Sequence, residues 1–167
     1  NFRLAEKWAV HIGGGMNHRF ALYDQVMLKD NHVDFAGGIK EAILRTQAYL
    51  QENALPLAIE VETRTLKEVA EVLAVGGIDC IMLDNMDYAT MREAVRMING
   101  KYSTEASGGI TEETLAAVAE CGVVGAPDPE RGQVVQLGRF GQKTGRVQPA
   151  VGGFGVGGGA GGRGVGG

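Results

Sequence analysis

Four times before residue 122 a short apolar run ends in a polar group, and this repetition restricts the fold more than any other feature of the chain. The runs are QVMLKD at 25–30, LAIEVE at 57–62, DCIMLD at 79–84 and YSTEAS at 102–107. Amphipathic helical patterns follow them. The spacing shows in Leu66, Val69, Ala70 and Leu73, and again in Met91, Ala94, Val95 and Ile98. Strands alternating with helices predict a parallel sheet, either open or closed into a barrel. Thr65 with Glu68 reads as a capping box, Asp87 and Thr111 as further helix starts, and Asn99-Gly100 and Gly122 as helix exits. Leu4, Trp8 and Val10 beside Glu6 and Lys7 place one more helix at the start of the chain.

The polar groups that close the apolar runs are Lys29 and Asp30, Glu62, Asp84 and Asn85, and Glu105 and Ser107. In a parallel sheet all strands point the same way, so these groups converge on one rim, where such folds place their sites.

Composition bounds the rest. At 167 residues and a net charge of -4, the chain suits one globular domain and has no bulk-charge claim on nucleic acid. It has no apolar run of the roughly 18 residues that span a bilayer and no signal-peptide layout, so no membrane is expected and the location predicted is cytoplasmic. Cys80 and Cys121 make no metal-type spacing and read as reduced core thiols. Seventeen of the 27 glycines fall after residue 121, in a text without helical or strand period. Such a composition cannot bury enough apolar surface to offset the entropy of ordering it. The division expected is therefore a folded part at 1–121 and a glycine-rich, disordered tail at 122–167.

The segment GGGMNHRFALYDQVMLKDNH, residues 13–32, frames an apolar run with His18, Arg19, Lys29 and His32. A guanidinium fork, a lysine point charge and an imidazole donor together suit a planar substrate with more than one carboxylate. His32 reads equally well as a structural histidine. Glu62 and Asp84 carry the opposite sign. They are either rim ion-pair partners of Lys29 or Arg19, or acids that hold sugar hydroxyls or Mg²⁺ and stabilise a cationic transition state. Ser107-Gly108-Gly109 ahead of Thr111 leaves backbone N–H groups at a helix start, which favour a phosphate. Two other motifs carry nothing. Gly153-Phe-Gly155-Val-Gly-Gly158 has dinucleotide spacing but no strand before it, and His11-Ile-Gly-Gly-Gly15 has no partner serine in a nucleophile elbow.

In this order, GGGMNHRFALYDQVMLKDNH, IEVETRTLKEVAEVL, IMLDNM and EASGGIT resemble quinolinate phosphoribosyltransferase over about residues 1–123. The resemblance implies an incomplete parallel α/β barrel of the type II phosphoribosyltransferase kind. It implies transfer of phosphoribose from phosphoribosyl pyrophosphate to quinolinate with decarboxylation, in NAD biosynthesis, with Mg²⁺ as cofactor. His18, Arg19 and Lys29 match the positions that bind the quinolinate carboxylates. Glu62 and Asp84 match the acids facing ribose and metal, and Ser107, Gly108 and Gly109 match a phosphate loop. Lys29, Glu62 and Asp84 are the residues expected to carry the chemistry. Two alternatives remain open: a related barrel phosphoribosyltransferase for another pyridine or pyrimidine carboxylate, and a non-catalytic carboxylate-binding domain.

Family members also carry an N-terminal α/β domain and a first barrel strand with an Arg-Lys pair, and they form homodimers or larger homo-oligomers in which a partner supplies an arginine. These groups do not occur in the 167 residues, so the chain alone is expected to be an inactive fragment. Beyond residue 123 the family pattern fails. One inserted nucleotide in a run coding for Val-Gly-Ala-Leu-Thr-Arg-Ser-Val-Gly yields Val-Gly-Ala-Pro-Asp-Pro-Glu-Arg-Gly, the text at 124–132, so the tail is expected to be an out-of-frame translation.

Overall fold

The computed structural model describes residues 2–13 and 17–123. Helix α1 (Phe2–Ile12) precedes four strand–helix units. These are β1 (Gln25–Leu28) with α2 (Asp30–Ala36) and α3 (Ile39–Glu52), β2 (Ala58–Thr63) with α4 (Leu66–Val75), β3 (Cys80–Asp84) with α5 (Tyr88–Ile98), and β4 (Ser103–Ser107) with α6 (Glu112–Ala119).

The strands form one parallel sheet in the order β1-β2-β3-β4, with Val26 opposite Ile59, Val61 opposite Ile81 and Leu83 opposite Ala106. Each strand joins on the same side of the one before it. That is the winding of an α/β barrel, whereas a doubly wound sheet reverses its order at a switch point. The described residues are thus an arc of a parallel α/β barrel, in agreement with the alternation read from the sequence. The crossover helices pack side by side against the sheet, α2 on α3, α3 on α4 and α4 on α5.

Local chemistry fixes the helix ends. Glu68 N–H donates to Thr65 Oγ1 and Thr65 N–H donates back to the Glu68 carboxylate, each at 3.2 Å, closing the expected capping box. Asp87 accepts from Thr90 N–H at 2.8 Å, and Thr111 forms a box with Thr114. Asn99 ends α5 in the left-handed region at φ 48°. Helix α6 stops at Glu120, two residues before the glycine expected to end it. The first crossover contains two helices because Gly37 and Gly38, at φ 94° and 135°, stop one and redirect the chain into the next.

The apolar core lies between sheet and helices. Val61, Ile81, Leu83 and Ala106 from the strands meet Ile43, Val69, Val72 and Ala94 from the helices, all fully buried. Burial of each large aliphatic side chain contributes about 1.5–3 kcal/mol. Val123 is also fully buried in this core, so packing continues two residues past the expected boundary at 121. The tail from residue 124 onward, with the expectations of disorder and of an altered frame, lies outside the described residues.

Candidate active site

Side chains alternate across a strand with period two. With Val26, Leu28, Ile59, Val61, Ile81, Leu83 and Ala106 committed to the core, the alternate positions occupy the other face. They are Gln25 and Met27 on β1, Glu60 and Glu62 on β2, Cys80, Met82 and Asp84 on β3, and Ser103, Glu105 and Ser107 on β4. Register sets Glu60 beside Cys80, Glu62 beside Met82 beside Glu105, and Asp84 beside Ser107. The inner face of the arc is therefore polar. Lys29, directly after β1, continues it at the strand ends.

Residues 17–24 cross this face and are pinned at several points. The Asp24 carboxylate accepts from the N–H groups of Phe20 and Ala21 at 2.6 and 2.8 Å. From α1, Lys7 Nζ donates to the Arg19 carbonyl at 2.6 Å and Arg3 Nε to the Phe20 carbonyl at 2.7 Å. This anchoring sets His18 Nε2 2.8 Å from Glu60 Oε2 and 3.6 Å from Glu105 Oε2. Gln25 Nε2 donates to the same Glu60 oxygen at 3.0 Å, and Arg19 donates to the Gln25 carbonyl at 3.5 Å. The hydrogen bond to Glu60 raises the His18 pKa above its usual 6.5; burial opposes this and the Glu105 charge adds to it.

At the strand ends Lys29 Nζ lies 3.7 Å from Glu62 Oε2. Burial raises the Glu62 pKa above 4.5 despite the neighbouring lysine charge, and the like charge of Asp84 pushes in the same direction. Asn85 Nδ2 donates to Asp84 Oδ2 at 2.7 Å while its own N–H donates to the Ser107 carbonyl at 2.8 Å. Gly108 and Gly109 follow in the left-handed region, at φ 91° and 63°.

The expected site residues thus fall into three neighbouring groups. His18 and Arg19 share a network through Gln25 and Glu60, Lys29 and Glu62 pair with Asp84 nearby, and Ser107-Gly108-Gly109 joins the Asp84 loop through Asn85. His32 is structural: its Nδ1 accepts from Lys29 N–H at 3.1 Å at the start of α2. Cys121 lies in the apolar core, whereas Cys80 is buried on the polar side, where burial and the charges of Glu60 and Glu105 hold its thiol neutral. Glu60 was not among the expected residues. The signal that finds it is its two-residue spacing from Glu62, which puts both acids on one strand face.

Comparison with known proteins decides the family. The model for the quinolinate phosphoribosyl transferase C-terminal domain matches residues 1–126. The chain belongs to that family. It is similar to the mitochondrial quinolinate phosphoribosyltransferase [decarboxylating] 2 of Nicotiana glauca, 47% identical over 135 residues, covering 72% of this chain and 38% of that protein. It is similar also to the probable nicotinate-nucleotide pyrophosphorylase [carboxylating] of Synechocystis, at 48% identity over 124 residues, 72% of this chain and 41% of the relative. Among solved structures, the nicotinate-nucleotide pyrophosphorylase from Francisella tularensis superposes with a TM-score of 0.68 at 38% identity, covering 73% of this chain and 42% of that one. The chain accordingly spans about two fifths of the length of the curated quinolinate phosphoribosyltransferases that it matches.

Proposed function

We propose that this chain carries the substrate rim of a decarboxylating quinolinate phosphoribosyltransferase, joining quinolinate to phosphoribosyl pyrophosphate to give nicotinate mononucleotide, pyrophosphate and CO₂. The observation that carries the reading is one polar sheet face on which Lys29 stands 3.7 Å from Glu62 with Asp84 nearby, while His18 is held on the same face by Glu60. His18, Arg19 and Lys29 bind and orient the two carboxylates of the pyridine. The ring nitrogen then attacks the anomeric carbon of the ribose, and the bond to pyrophosphate breaks with its electron pair on the leaving oxygen. Glu62 and Asp84 face the positive charge that develops on the sugar, where fixed negative charge is worth most. Loss of the 2-carboxylate as CO₂ leaves an electron pair on the ring carbon, stabilised by the adjacent positive nitrogen until a proton replaces it.

Mg²⁺ fits the same acids: both offer hard oxygen donors, and burial of Glu62, with the like charge of Asp84 as a smaller contribution, disfavours its ionised form, a cost that a cation relieves. Bound there it would supply charge neutralisation on the leaving pyrophosphate. Ser107, Gly108 and Gly109 hold the 5-phosphate through backbone N–H groups ahead of α6. The reading carries with it a cytoplasmic homodimer or larger homo-oligomer without a nucleic-acid partner; the net charge of -4 supports the last point. Among the described residues no helix is long and apolar enough to cross a membrane.

Calorimetric titration of the 167-residue chain with quinolinate and with nicotinate tests the substrate. Quinolinate is expected to bind about tenfold more tightly or better, because its second carboxylate gains a charge-assisted hydrogen bond. Equal affinity would transfer the reading to a phosphoribosyltransferase for a monocarboxylate.

A further inference from the structure

Glu60 is fully buried, and one of its carboxylate oxygens, Oε1, accepts no hydrogen bond among the described residues. A buried ionised carboxylate is costly unless a cation pairs with it. The groups facing this point from the surrounding elements are Gln25 on β1, Cys80 on β3, Glu105 on β4, and His18 with Arg19 on the crossing segment. Gln25 and the neutral thiol bring no charge, and Glu105 adds a second negative one. His18, at 2.8 Å, is the group in contact that can supply the balancing positive charge by holding a second proton.

The consequence lies at the other ring nitrogen. A neutral imidazole that gives its single N–H to Glu60 through Nε2 presents a lone pair at Nδ1, which repels a carboxylate. A protonated ring gives one N–H to Glu60 and still has N–H at Nδ1. Resting on the dicarboxylate reading above, we propose that Glu60 is a positioning residue. It clamps Nε2 of His18 so that Nδ1–H serves as a charged donor to one carboxylate of the pyridine dicarboxylate. Glu60 itself does not touch the substrate. Its like charge would oppose binding were it not neutralised by the ring, so it acts only through His18.

The test uses the 167-residue chain and ring-nitrogen NMR of its three histidines across pH, with His18 assigned by H18Q. In the unmodified chain the His18 midpoint is expected above the ordinary imidazole range, and in E60Q it is expected to fall toward that range. Quinolinate affinity, measured on the same samples, is expected to weaken by up to about tenfold per pH unit on the alkaline side of the ring midpoint, the slope of one linked proton. In E60Q this weakening should begin at lower pH, following the ring. At acid pH, where both rings are charged, the two proteins should bind equally well, or E60Q the better. E60D, which retains the charge, should return both curves part of the way.

A His18 midpoint unmoved by E60Q overturns the clamp, and so does a binding curve that stays in place while the ring midpoint moves. Should E60Q not fold, the unmodified chain decides, because binding loss and ring titration must coincide there. If quinolinate fails to bind at any pH while the ring titrates as expected, the dicarboxylate reading is what fails, and the substrate half of the inference with it. A merely structural Glu60 would alter stability without moving the pH at which affinity is lost.

Discussion

Lys29 and Glu62 are bound to each other, Nζ to Oε2 at 3.7 Å, so the lysine assigned to one substrate is held by an acid assigned to the other. The pair is half exposed on the lysine side and nearly buried on the glutamate side, and under the proposed reading each substrate competes for its own member of it. Replacement of Lys29 by Ala should therefore act twice. Quinolinate binding should weaken by about 1.5–3 kcal/mol, the scale of a charge-assisted hydrogen bond. The lysine charge at present holds the Glu62 pKa down against burial, so K29A should raise that pKa further. In a complete enzyme built on this core, the acid limb of the pH–rate profile should shift upward. Calorimetry and a pH series of initial rates check the two effects, and a phosphoribosyl pyrophosphate affinity lost as heavily as that for quinolinate would place Lys29 at the phosphates instead.

Glu62→Gln and Asp84→Asn, in the same complete enzyme, should lower kcat by about tenfold to a hundredfold or more while changing quinolinate affinity little, because their charges matter most as the ribose becomes cationic. Steady-state kinetics with both substrates varied separates these quantities. Turnover unchanged in both variants would make the acids simple ion-pair partners of the rim.

The legibility of the chain divides along physical lines. Strands at 25–28, 58–63, 80–84 and 103–107 fall within or close to the apolar runs because each must bury one face continuously against helices. The caps at Thr65, Asp87 and Thr111 were readable because capping is a contact over three residues. What escaped depends on residues far apart in the chain. The His18–Glu60 contact spans 42 residues and exists only because a crossing loop is tied to α1, which no local pattern encodes. The break between α2 and α3 rests on Gly37 and Gly38 at positive φ, a conformation that two glycines permit but do not dictate.

Stability should also report on the His18–Glu60 pair. A group whose pKa is raised by folding contributes stability that is complete below its unfolded value and lost as pH rises through its folded value. Urea unfolding of the 167-residue chain should thus show His18-dependent stability intact below about pH 6.5, the usual imidazole value, and declining above it. In H18Q this component of the decline should be absent. An identical pH profile in both proteins would mean that the ring is not charged in the folded state.

A Cβ added at Gly108 would overlap the carboxamide of Asn85, and the residue sits at φ 91° besides. Gly108→Ala should destabilise by about 1–3 kcal/mol through strain and overlap combined. Adding Asn85→Ala should recover the overlap part but not the backbone part. A double-mutant cycle of unfolding midpoints measures the coupling, and strict additivity would show that the two loops do not touch.

The order β1-β2-β3-β4 has a temporal consequence. A strand that always docks on its immediate predecessor needs nothing that has not yet been synthesised, so this part of the sheet can be laid down in step with the ribosome, one unit at a time. Each pairing spans a single strand–helix unit, close to the least separation that a parallel pair with a helical crossover allows. The His18–Glu60 and His18–Glu105 contacts are the exception. They wait until β2 and β4 have emerged, so this part of the rim is not complete before the fourth strand is in place.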